Sequence, residues 1–147
     1  MIDVFVLVAT TIGAPCQRVW TAVTDLRQRP SLISAEMTGG IWPEETATAR
    51  VVMDKGTFRM TRNERVVYLE RERRLMIKVE VLEPAGLAYL DYQLVPTEGG
   101  CRLSLSSLVN MPDPPGSTPG ARAQYIDGTR KALEETLDEY RRRIEKA

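Results

Sequence analysis

Residues 118–147 constrain the fold more than any other stretch of the sequence. Ile126, Leu133, Leu137, Tyr140 and Ile144 recur at spacings of seven, four, three and four, the period of one apolar face of an α-helix. The opposite face carries Lys131, Glu134, Glu135, Asp138, Glu139, Arg142 and Arg143. Pairs such as Arg130/Glu134 and Glu139/Arg143 set opposite charges four residues apart, each worth a few tenths of a kcal/mol. Thr118 suits the N-cap and Pro119 the first helical position, while Arg141, Arg142, Arg143 and Lys146 suit the negative end of the helix dipole. At 1.5 Å per residue such a helix is ~40 Å long. That is too long to tuck beside a small sheet, so the rest of the chain must wrap it.

What precedes the helix is nearly all strand. Residues 2–12 are apolar and β-branched, and Gly13-Ala14-Pro15 breaks them. Pro15 opens a short helix over residues 16–25, with Val19, Ala22 and Val23 as its apolar stripe. Residues 26–34, interrupted by Pro30, read as a second short helix, and residues 38–45 as a turn-rich loop. Strands are expected over 46–54, 57–62, 66–71, 75–82, 87–95 and 101–111, with a polar kink at Asn63-Glu64-Arg65 and turns at Lys55-Gly56, Pro84-Ala85-Gly86 and Gly99-Gly100. Ile77, Val79 and Val81 alternate with Lys78 and Glu80, and Leu90, Tyr92 and Leu94 with Asp91 and Gln93. One face is then buried and the other wet, as in an antiparallel meander. Residues 112–117 are a proline-rich linker into the last helix.

Composition removes whole classes of function. At 147 residues the chain is one domain, residues 1–147, with 43% apolar and 27% charged residues. Twenty basic residues cancel twenty acidic ones, which leaves no broad electrostatic case for nucleic acid or an anionic membrane. No apolar run approaches the ~20 residues that span a bilayer. The start carries an acid at position 3 and no basic segment, so the expected location is cytoplasmic. Cys16 and Cys101 lack metal-ligand spacing and are taken as two buried free thiols. Histidine is absent, and with it Ser-His-Asp and Cys-His catalysis and the commonest transition-metal sites. No cofactor and no metal are expected.

Two segments carry a family resemblance. TTIGAPCQRVWTAVTD at residues 10–25 matches a pattern of strand, Ala-Pro, Val-Trp and closing Asp, and AYLDYQLVPTEGGCRLSLSS at 88–107 matches strand, Gly-Gly turn, strand. With the terminal helix, the chain resembles the polyketide cyclase/dehydrase and lipid transport family. That family lies within the START-like SRPBCC superfamily, which includes the birch pollen allergen. The resemblance implies an α+β, Bet v 1-like helix-grip fold. In it a curved antiparallel sheet of about six to seven strands surrounds a long C-terminal helix, with two short helices after the first strand. It also implies a deep, mostly apolar cavity between sheet and helix.

Strand parity points a set of side chains toward that space: Met53, Phe58, Met60, Arg62, Ile77, Val79, Leu90, Tyr92, Leu103, Leu105 and Ser107. Most are expected to be core, and the polar ones matter because a polar group in an apolar space needs a partner or a ligand. Tyr92 is either a core tyrosine or a donor to a ligand carbonyl. Arg62 either reaches the cavity mouth, to meet a carboxylate or enolate oxygen, or is rotated into solvent by the kink at Asn63. Trp42 could lid the opening or pack under the helices, and Tyr125 could reach the mouth or stay on the surface. Gly128, inside the helix, costs about 1 kcal/mol relative to Ala unless room for a ligand or strand repays it. The leading expectation is a binder of a hydrophobic small molecule such as a lipid, polyketide or aromatic, monomeric or homodimeric. The alternative is a polyketide cyclase or dehydratase using Tyr92 and Arg62. A third is a co-chaperone-like interaction module using Phe5 and Leu7 on the outer face.

Overall fold

A computed structural model describes residues 2–82, 86–111 and 119–146. The element order is β1 (Ile2–Ile12), α1 (Cys16–Thr24), a single 3-10 turn (Leu26–Gln28), β2 (Leu32–Gly39), β3 (Thr48–Asp54), β4 (Arg59–Glu70), β5 (Arg74–Val81), β6 (Gly86–Thr97), β7 (Gly100–Met111) and α2 (Pro119–Lys146). The seven strands form one antiparallel sheet in the order β1-β7-β6-β5-β4-β3-β2, curved around α2. The proline-rich linker, the Thr118 cap and the turn residues at 84 and 85 lie outside the described residues.

Two expected elements are different. The second helix is only the turn Leu26–Gln28, where the Asp25 carboxylate accepts from the Arg27 amide. The apolar pair Leu32-Ile33 then begins β2, an edge strand that buries almost nothing, so no period-2 signal marks it in the sequence. The kink at Asn63 is also absent. β4 runs straight through it, pairing Arg62 with Val51 and Val81, and Glu64 with Ala49 and Val79. Arg62, Glu64 and Val66 therefore share the inner face.

The cysteines are not free. Cys16 and Cys101 form a disulfide that ties the first turn of α1 to the first turn of β7, with their Cα atoms 5.0 Å apart. Gly99 and Gly100 make that corner feasible. Gly99 sits at φ +80°, and a side chain on Gly100 would strike the Ile12 carbonyl oxygen at 2.3 Å. The bridge sits poorly with a cytoplasmic protein, since cytosolic thiols are normally kept reduced.

Among the described residues, the buried side chains of α2 lie in its C-terminal half. Leu133, Leu137, Tyr140 and Ile144 are buried against the sheet. The C-terminal end is clamped further: Arg18 donates to the Ile144 carbonyl at 2.6 Å, Arg143 to the Gln28 carbonyl at 2.7 Å, and the Gly13 amide to Glu145 at 2.9 Å. The N-terminal half presents Tyr125, Gly128, Thr129 and Ala132 to the same side, and none of these is buried. Large side chains on the stripe give a solid interface; small ones leave space.

Candidate functional site

That space is a cavity of about 360 Å³ between the N-terminal half of α2 and the inner faces of β4 to β7. It lies at the low end of the roughly 300–1,000 Å³ typical of small-molecule sites. The sheet supplies Met60, Val79, Val81, Ala88, Leu90 and Val109, and the helix supplies Gly128, Ala132 and Leu133. A methyl group added at Gly128 would meet nothing within 4 Å. Polar groups are sparse, and the charged ones are Arg62 and Lys55.

Of the residues expected at the site, Met60, Arg62, Val79, Leu90, Ser107 and Tyr125 line this cavity. Ile77, Leu103 and Leu105 are instead packed in the solid half, as is Tyr92 at 2% exposure. Met53 is buried in a small side cluster with Leu26, Ala49 and Val51. Phe58 precedes β4, is half exposed and borders a different surface hollow, because β4 begins at Arg59, two residues later than the expected strand. Trp42 wedges between the two core clusters and borders a separate groove with Met37 and Ile41. Its indole nitrogen is buried without a partner among the described residues. Phe5 and Leu7 are exposed on the outer face, where Phe5 pairs across the ladder with the exposed Leu108.

Behind Arg62 stands a buried ionic cluster that the sequence reading did not anticipate. Glu64 is fully buried, and its Oε2 accepts from Arg62 Nε at 2.7 Å and from Arg29 Nη1. Arg29 and Arg62 side chains are 4% and 11% exposed. Burial alone would raise the Glu64 pKa, but the charges of Arg29 and Arg62 overcome it and hold the carboxyl below its ordinary range. Burial likewise opposes the charge on Arg29, yet Glu64 keeps it protonated. Tyr92 and Tyr140 feel this cluster, and burial above all pushes both phenols up, so they are donors rather than bases. Glu64 Oε1 and the Tyr140 hydroxyl are buried without a partner among the described residues.

Lys55 stands where the cavity meets an outer groove that runs past Pro30, Asp54 and Glu139. The residue as a whole is exposed, but crowding by protein, and then the like charge of Arg62, hold its amine below the usual lysine range. The one sequence signal for Glu64, its place two residues from Arg62, counts only once the strand is known to run through Asn63. Arg29 had none, because only the tertiary fold brings residue 29 to residue 64.

Several solved structures share the fold at low identity. Ara h 8.0201 superposes with a TM-score of 0.71 at 10% identity, covering 99% of each chain. The di-domain ARO/CYC StfQ from the steffimycin biosynthetic pathway gives 0.78 at 12%, covering 95% of this chain and 49% of StfQ. A protein of unknown function from Staphylococcus aureus, SA2116, gives 0.73 at 12%, covering 99% of this chain and 95% of that one. No curated protein matches the sequence. No helix among the described residues is long and apolar enough to cross a membrane. Residues 5–145 match the family described as polyketide cyclase / dehydrase and lipid transport, and the chain belongs to that family.

Proposed function

We propose that the protein binds one small, mostly apolar molecule in the cavity between α2 and the sheet. The observation that carries this reading is the change of side-chain size along α2, from Leu137 and Leu133 to Ala132 and Gly128 over an apolar sheet wall. Binding would come from burial, at about 25 cal/mol for each Å² of apolar ligand surface removed from water. The family description spans both lipid transport and cyclisation. Binding without chemistry is the better supported of the two here. Arg62 is on the cavity wall, but Tyr92, the expected proton donor, is packed behind it in the solid half of the interface.

The plug that tests this belongs at Gly128, where an added side chain meets open space. Gly128→Trp is expected to fill the cavity while removing a helix-weakening glycine, so folding stability should not fall. Wild-type protein exposed to a lipid extract, washed and denatured should release an apolar molecule detectable by mass spectrometry. Gly128→Trp should release none. Identical empty spectra from the two proteins would reject the binding reading.

A further inference from the structure

The charges around the cavity do not balance. Arg29 and Arg62 contribute two mostly buried positive charges, and Glu64 returns one negative charge. Among the described residues no other carboxylate pairs with either arginine. An uncompensated charge in such a place is costly, and the protein's own side chains leave one. Arg62 is also half used. Its Nε is bound by Glu64, which fixes the plane of the guanidinium, whereas its terminal nitrogens make no hydrogen bond to any described residue and the side chain borders the cavity. Lys55 adds a second cation to the same wall. The remaining lining is apolar apart from a few hydroxyls.

We infer that the cavity takes an apolar carboxylic acid, its carboxylate facing Arg62 and Lys55 and its hydrocarbon body against Val79, Leu90, Val109 and Leu133. This rests on the binding reading above and adds the chemistry of the guest. A planar carboxylate matches the free terminal edge of the Arg62 guanidinium, the two Nη N–H groups that Glu64 leaves open, and charge-assisted pairs of this kind are about twice as strong as neutral ones. Glu64 acts through Arg62, as a positioning residue, and Arg29 acts through Glu64. The amine of Lys55 is held down first by burial and second by the like charge of Arg62, and an anion between the two cations would offset the second of these.

The test compares decanoate and naphthoate, each beside its neutral primary amide, by isothermal titration at neutral pH. Wild-type protein is expected to prefer the acid about tenfold to a hundredfold. Arg62→Met leaves the Arg29–Glu64 pair in place and should bring acid and amide within about threefold of each other. Lys55→Met, at the exposed rim where folding is not at stake, should reduce the preference in part. Equal binding of acid and amide by the wild type overturns the carboxylate assignment and leaves cavity binding standing. An acid preference that survives in both variants overturns the assignment of the head group to Arg62 and Lys55. Binding of neither acid nor amide overturns both readings.

Discussion

Replacing Glu64 with Gln is expected to cost about 3–5 kcal/mol of folding stability, the usual loss when one partner of a buried ion pair is removed. The change strands two guanidinium groups rather than one, because Glu64 Oε2 serves both Arg29 and Arg62. Against a typical total of about 5–15 kcal/mol, that is a large share. The pH dependence gives a second reading of the same interaction. The folded-state pKa of Glu64 lies below its ordinary value, so its contribution is present above the unfolded value of about 4.3 and is lost as pH falls through the folded one. The gap between wild type and Glu64→Gln, measured by urea unfolding, should therefore be widest near neutral pH and narrow under acid conditions. A triple change, Arg29→Met with Glu64→Leu and Arg62→Met, should recover most of the loss, since apolar replacement of whole buried ionic groups is often neutral or stabilising. Such recovery would mean that this cluster is kept for what it does at the cavity wall. A Glu64→Gln protein as stable as wild type at neutral pH would contradict the buried-pair geometry.

Reducing the Cys16–Cys101 disulfide should cost about 4 kcal/mol. The bridge joins residues 85 apart in sequence and closes a loop that takes in α1 and the five strands β2 to β6, and long loops restrict the unfolded chain most. For a chain of this size the fall in melting temperature is about 10 °C. Thermal unfolding with and without dithiothreitol measures it, with Cys16→Ala as the covalent control. Reduced wild type and Cys16→Ala should melt together, both below the oxidised protein. Two thiols titrating at once in freshly denatured, unreduced protein would contradict the bridge. Residual order should survive reduction, because Arg18, Gly13 and Arg143 still hold the end of α2.

What could be read from the sequence depended on whether burial left a periodic trace. The stripe from Leu133 to Ile144 did, and so did Ile77, Val79, Leu90 and Leu94, so the terminal helix and the central strands were legible. Gly128 was also legible as a helix-interior glycine in want of a reason, and the hollow beside it supplies one. β2 left no trace: an edge strand with both faces wet has no reason to alternate. Glu64 was hidden by its neighbours. Asn63, Glu64 and Arg65 look like a polar break unless the strand is known to run through, and only the pairing of β3 and β5 with β4 shows that it does. The bond between Cys16 and Cys101 depends on where α1 settles against the start of β7, which no local pattern encodes. Tyr92 had the right parity, but parity gives a face of the sheet and not a position along it. That position decides between the solid half and the hollow half.

The most direct measurement is a methyl-resolved NMR titration of the protein with decanoate. Methyl groups of Met60, Val79, Val81, Leu90, Val109 and Leu133 border the cavity, while those of Leu75, Leu94 and Leu103 lie in close-packed core. A guest held between α2 and the sheet is expected to shift the first set strongly and leave the second nearly unmoved in the wild type, and neither set should move in Gly128→Trp. Shifts spread evenly over both sets, or confined to the exposed outer face around Leu7 and Leu108, would contradict an internal site.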